Sequence, residues 1–121
     1  MRFASLGSGS RGNALVVEVK QTRLLLDCGF GIRETVARLS RLDLQPEDLT
    51  GILITHEHAD HIGGAVRLAR RFELPVWLTH GTFTNHALAQ TLPDVRLIDG
   101  HSAFQADEIE VQPFPVPHDA R

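Results

Sequence analysis

Short apolar runs separated by glycine and polar residues fill the first quarter of the chain, and helical periodicity enters only afterwards. Phe3 to Leu6 is the first run, and a Gly/Ser stretch follows it. Ala14 to Val19 and Arg23 to Asp27 read as the two strands of a hairpin around Lys20-Gln21-Thr22, ended by Gly29. Ile32, Val36, Leu39 and Leu42 then recur at helical spacing, with Glu34 and Arg38 as an outward i,i+4 pair. Gly51-Ile52-Leu53-Ile54-Thr55 is a continuous apolar run of the kind found in a strand buried on both faces. The spacing of Ile62, Ala65, Val66, Ala69 and Phe72 predicts a helix over 61–72, and Pro75 to Thr79 predicts the next strand. Thr82 is expected to cap a helix carrying Phe83, Ala87 and Leu88 that stops before Pro93. Val95 to Ile98 and Glu108 to Val116 complete the predicted strands. There are no repeats, low-complexity tracts or linkers.

Strands alternating with helices imply an α/β layered fold. In such folds ligands collect outside the carboxyl ends of strands, where loops vary while the sheet holds them rigid. Asp27, His56 and His118 all follow apolar strands in this reading. The densest chemistry lies at one of these ends, in His56-Glu57-His58-Ala59-Asp60-His61. Imidazole and carboxylate are ligands that Zn²⁺ accepts, and a random loop rarely combines this ligand density with a strand end. If 55–59 is extended, the two-residue period puts His56 and His58 on one side and Glu57 on the other. Asp60 and His61 then fall where the chain turns into a helix, so they approach from a second direction. A helical His-Glu-x-x-His zinc motif is excluded, because position 60 is Asp60.

The order His-x-His-x-Asp-His resembles the signature of the metallo-β-lactamase superfamily. Leu24-Leu25-Leu26-Asp27-Cys28-Gly29 matches that family's first motif, an aspartate closing an early apolar strand, and Pro117-His118-Asp119 matches its third, an isolated histidine. The opening Ser5-Leu6-Gly7-Ser8-Gly9-Ser10-Arg11-Gly12-Asn13 and the ending Pro117-His118-Asp119-Ala120 are similar to the bacterial YycJ/WalJ-like branch, which is related to nucleases. The resemblance implies an αββα sandwich, with residues 1–121 as the amino-terminal part of a single metallo-β-lactamase-like domain. It also implies a ligand set: His56, His58 and His118 for one ion, and Asp60 with His61 beginning a second site. Two Zn²⁺ ions are expected in the complete enzyme, with Mn or Fe as alternatives. Such a pair can share a water and lower its pKa toward neutrality, so no protein nucleophile is needed. Asp60 is the catalytic candidate, able to orient that water or take its proton. The family's bridging aspartate and final histidine cannot be placed in this chain. A diiron redox role ranks lower, because relatives of that kind carry glutamate where this chain has His58.

Other features adjust this picture. Asp27 is expected to accept hydrogen bonds from the 56–61 loop and fix ligand orientation, its alternative being an ordinary turn residue. Asp119, beside His118, is expected either to support the ligands in the same way or to be an exposed loop aspartate. In the Gly/Ser stretch, Ser8, Ser10 and Asn13 are candidate phosphate contacts, and Gly7, Gly9 and Gly12 would let backbone N–H groups approach an anion. The competing reading is a tight connection between two strands. The stretch is neither a Walker loop nor a dinucleotide fingerprint. Arg67, Arg70 and Arg71 read as a solvated helix face, with a phosphodiester track as the alternative. His80, His86 and His101 read as caps, turns or surface residues, and Cys28 as a small buried apolar residue.

Composition narrows the rest. A chain of 121 residues, 42% hydrophobic, supports one globular unit, and a net charge of −3 carries no global polyanion signature. Eleven of the twelve cations are arginine, which suits phosphate forks and equally fits GC-rich coding. A single cysteine forms no internal disulfide, no apolar run reaches the ~20 residues of a membrane span, and Met1-Arg2-Phe3-Ala4-Ser5 passes directly into a strand, so no signal peptide is expected. Cytoplasmic residence is expected. The leading functional expectation is a metal-dependent hydrolase of phosphodiesters, with nucleic acid as substrate. The alternatives are hydrolysis of a small ester, thioester, lactone or β-lactam, and a non-catalytic metal-binding half-domain. Half of a two-sheet sandwich leaves an apolar face without its cover, so self-association of this fragment is expected as well.

Overall fold

The computed structural model describes residues 1–7, 13–55 and 62–112. Six strands, β1 (Arg2–Gly7), β2 (Ala14–Val19), β3 (Thr22–Leu26), β4 (Gly51–Leu53), β5 (Pro75–Thr79) and β6 (Asp94–Ile98), form one sheet in sequence order. β1, β2 and β3 are antiparallel, and β3 to β6 run parallel. The change is explained by connection length: the Lys20-Gln21 turn returns the chain at once, whereas each later crossover includes helical structure. Helices α1 (Ile32–Ser40) and α2 (Gly63–Phe72) fill the first two crossovers.

One face of the sheet is packed by these helices. Val16, Leu25, Ile52, Val76 and Leu78 from the strands meet Leu39, Val66, Leu68 and Ala69 in the main core. The opposite face carries Val17, Leu24, Leu53 and Trp77. It is covered by a small hairpin, β7 (Phe104–Ala106) and β8 (Ile109–Val111), which buries Ala106 and Ile109 there. The tip of the hairpin is tied down by Thr22: its Oγ1 donates to Glu108 Oε1 at 3.0 Å and accepts from Glu108 N at 3.2 Å. Leu24 and Leu25, adjacent in β3, are thus both buried on opposite faces, as their continuous apolar run requires.

Four expectations need correction. Leu42 lies beyond α1 and is partly exposed, because the helix ends at Ser40. The cap of the third helix, α3 (His80–Asn85), is Thr79 rather than Thr82: Thr79 Oγ1 accepts from Thr82 N at 3.2 Å. A separate 3-10 turn, Ala87–Thr91, carries Ala87 and Leu88. Last, the run from Glu108 is no single strand. Asp107, at φ 52°, and Glu108 form a turn, and Val111 ends β8.

Candidate metal centre

The parallel strands present their carboxyl ends on one side of the sheet, and β1, antiparallel to β2, ends there too. Residues 8–12, 56–61 and 113–121, and with them His56, His58, Asp60, His61, His118, Asp119, Ser8 and Ser10, lie outside the described residues. The chain on either side of the hexapeptide lies within them.

Asp27 is the centre of the surrounding frame. It follows β3 at φ 60°, and its N–H donates to the Leu53 carbonyl at 2.8 Å, extending the parallel ladder by one rung. Its side chain is buried and points at the neighbouring strand end. Oδ1 accepts from Thr55 N at 2.8 Å, and Oδ2 accepts from Thr55 Oγ1 at 2.7 Å. Both carboxylate oxygens therefore hold the residue immediately before His56. A buried carboxylate needs such donors, since an unpartnered one would carry a large desolvation penalty. Asp27 thus holds the residue just before the 56–61 segment, and the expected bonds to that segment itself lie outside the described residues. Thr55 carried no signal of its own, because threonine at the end of a strand is commonplace.

The far side of the hexapeptide is held by the same turn. Ile62 is buried, and its carbonyl accepts from Val66 N at 2.9 Å as α2 begins. Gly64 packs so closely on the turn that a Cβ there would lie 2.7 Å from the Cys28 carbonyl oxygen and would collide with that of Phe30. Asp27 to Phe30 consequently grips the chain before residue 56 and after residue 61. The turn is itself supported: Gly29 N donates to the Asn13 carbonyl at 3.0 Å, and Thr35 Oγ1 donates to the Gly31 carbonyl at 2.9 Å.

Cys28 belongs to this support. Its thiol is buried, 3.1 Å from Thr35 Oγ1, and burial pushes its pKa up. It stays protonated at neutral pH, which suits a core residue and not a thiolate ligand. The remaining histidines also keep to their expected roles. His80 starts α3 and is exposed, His101 is exposed in the turn after β6, and His86 Nδ1 lies 3.0 Å from the Thr82 carbonyl. Among the described residues, no group of three His, Cys, Asp or Glu could hold a metal ion. Arg67, Arg70 and Arg71 are exposed on α2.

Residues 7–120 match the profile of the metallo-beta-lactamase superfamily. The chain belongs to this superfamily. Over 99% of its length it is 37% identical to the exodeoxyribonuclease YycJ of Bacillus anthracis, of which it spans 47%. It is 32% identical to the exodeoxyribonuclease WalJ of Streptococcus pneumoniae (strain D39), with 98% of this chain and 46% of that one covered. The superfamily fold extends to the Rm3 metallo-beta-lactamase, at a TM-score of 0.67 and 23% identity, covering 89% of this chain and 46% of that structure. This member of the superfamily therefore spans about half the length of these relatives. Its α/β sheet with flanking helices is the metallo-β-lactamase architecture, and no helix among its described residues is long and apolar enough to cross a membrane.

Proposed function

We propose that residues 1–121 are the amino-terminal part of one metallo-β-lactamase-like domain, and that the complete domain is a metal-dependent hydrolase of nucleic-acid phosphodiesters in the cytoplasm. The observation that carries the proposal is the double hydrogen bond from Thr55 to buried Asp27, beside a hexapeptide rich in ligand-type side chains. A frame that fixes both ends of six residues suits a segment whose side chains must converge on small ions. The donor set fits: imidazole and carboxylate without thiolate is a set zinc accepts, with manganese or iron as alternatives. His56, His58 and His118 would hold one ion, and Asp60 with His61 would begin the site of a second. When bound, the ions supply Lewis acidity and a water acidic enough to act as nucleophile.

The chain's own residues divide the remaining work. Asp27 holds Thr55 and so orients the hexapeptide that begins at His56. Asp60 would orient the nucleophilic water or take a proton at its carboxylate. Ser8, Ser10 and Asn13, from the segment joining β1 to β2, are candidate phosphate contacts. Support for the phosphodiester class comes from the nuclease names of the two relatives at 37% and 32% identity. Phe3, 63% exposed on the hairpin side of the edge strand β1, is where this fragment would associate with a second copy.

A screen of the full-length protein with added divalent metal separates the substrate classes. Turnover of single- or double-stranded nucleic acid, with none of thioesters or nitrocefin, is expected. Turnover confined to a carbonyl substrate would overturn the assignment. His58→Ala should abolish activity with folding retained. Elemental analysis of residues 1–121 should find at most one tightly bound ion, and sedimentation over a concentration series should show association.

A further inference from the structure

Arg38 is engaged far beyond its surface pairing with Glu34. Its Nε donates to Glu34 Oε2 at 2.6 Å, and its guanidinium lies over the Phe30 ring, 4.2 Å from the centroid. Its Nη1 donates to the Leu6 carbonyl. That carbonyl sits at an irregularity: Ser5 pairs with Leu15 and Gly7 with Ala14, so Leu6 is an extra residue in the ladder. Such a bulge bends its strand and re-aims the chain beyond it. Gly7 completes the arrangement at φ 152°, where a Cβ would lie 2.9 Å from Phe30 Cζ and would collide with Arg38 Nη1. Phe30 in turn belongs to the segment that seats Gly64 at the start of α2. A planar fork can donate in two directions while stacking on an aromatic face, which a lysine ammonium cannot do.

We propose that Arg38 is a positioning residue for the catalytic site: it clamps the β1 bulge onto the Asp27–Phe30 turn. The clamp sets where the chain leaves β1 relative to the segment that carries the metal ligands. Its kinetic consequence rests on the phosphodiesterase reading, in which Ser8, Ser10 and Asn13 contact substrate phosphate. The structural consequence does not depend on that reading.

The test uses the full-length protein with Arg38→Met, Arg38→Lys and Glu34→Gln, followed by amide hydrogen exchange, metal content and steady-state kinetics. Arg38→Met should raise exchange over residues 5–15 about tenfold and leave residues 63–72 and the metal content unchanged. KM for a phosphodiester should rise about tenfold with kcat within about twofold, because positioning is lost and the metal chemistry is not. Arg38→Lys should recover part of both effects. Unchanged exchange and KM in Arg38→Met would overturn the proposal, as would a uniform rise in exchange with kcat and KM both degraded. If Arg38→Met fails to fold, Glu34→Gln decides: local loosening over 5–15 supports the clamp, and wild-type behaviour overturns it. Absence of phosphodiesterase activity in the wild type would sink the functional reading alone, since exchange still reports on the clamp.

Discussion

The two ends of the sheet are built by different rules. At the carboxyl end of the parallel strands, segments far apart in sequence hold one another: Asp27 grips Thr55, Arg38 grips Leu6, and Gly29 bonds Asn13. At the opposite end long-range ties also occur, from Thr22 to Glu108 and from Arg23 to Thr50, but the turns themselves close on local hydrogen bonds. Lys20 turns the β2–β3 hairpin at φ 55°, and Glu73 ends α2 at φ 55° with its N–H on the Ala69 carbonyl. Pro46–Asp48 carries its own capping box, in which Gln45 N donates to Asp48 Oδ2 at 2.8 Å. Left-handed backbone occurs at both ends, yet it does different work. Around Asp27 it aims a buried carboxylate at the neighbouring strand end; at Lys20 and Glu73 it only reverses the chain.

The same conformation should therefore respond oppositely to mutation at the two ends, and the largest effect belongs to Asp27. Asp27→Asn keeps the shape and tolerates positive φ. It replaces one of the two acceptors with an N–H₂ group facing the Thr55 donors. Activity of the full-length enzyme should fall about 100-fold, with a loss of about 1–3 kcal/mol in stability. Glu73→Gly relieves the left-handed strain and forfeits part of that gain to the freer unfolded chain. A stabilisation of about 0.5 kcal/mol with unchanged turnover is expected there. Kinetics with denaturant melts measure both, and a silent Asp27→Asn would erase the distinction between the ends.

A second contrast uses two helical glycines. Gly64→Ala drives a methyl group toward the Cys28 and Phe30 carbonyls, whereas Gly81→Ala in α3 meets nothing within 4 Å. The first should cost about 1–3 kcal/mol, because the obstacle is backbone and cannot swing aside, and should weaken metal binding by displacing the start of α2. The second should stabilise by up to about 1 kcal/mol through helix propensity alone. Thermal melts and a chelator competition separate them.

These contrasts also mark how far the sequence could be read. Strands such as Pro75–Thr79 and Ala14–Val19 were legible because apolar runs and turn residues bound them on both sides. The β7–β8 hairpin was not, since its strands have three residues each and its turn, Asp107-Glu108, contains no glycine to announce it. The ligand-type hexapeptide and Asp27 stood out by side-chain type. Thr55, Gly64 and the second role of Arg38 did not, because their importance lies in contacts made across 28 or more positions, or in a missing Cβ, and neither leaves a local pattern. Thr82 looked like a cap by residue type, and only the bond to Thr79 Oγ1 reveals the true cap three residues earlier.

Thr55→Val sharpens the reading of the carboxyl end. It removes the 2.7 Å bond from Thr55 Oγ1 to Asp27 while keeping the backbone bond at 2.8 Å. The buried carboxylate then loses one donor, at an expected cost of about 1–2 kcal/mol. Thr55→Ser should restore most of it. A denaturant series in which valine and serine behave alike would mean that the backbone bond alone sets the position of the strand end.

The smallest effect is expected at the opposite end, where Glu18 on β2 joins its two neighbouring strands. Its carboxylate accepts from Arg2 Nε at 2.7 Å and from Arg23 Nε at 2.6 Å. The hydrogen bond from Arg2, then that from Arg23, holds its pKa below the usual carboxylate value. A lowered folded pKa means that the stabilisation is fully present above the unfolded value, about 4.3, and fades as pH falls through the folded one. Ion pairs at the surface contribute little and are screened by salt, even where, as here, the carboxylate is partly covered and Arg2 is open to solvent. Glu18→Gln should therefore melt slightly below wild type at pH 7, with the gap closing below about pH 4 and in high salt. A gap that persists in acid would show that Glu18 acts through packing rather than charge, and this end of the sheet would then owe nothing to its ion pairs.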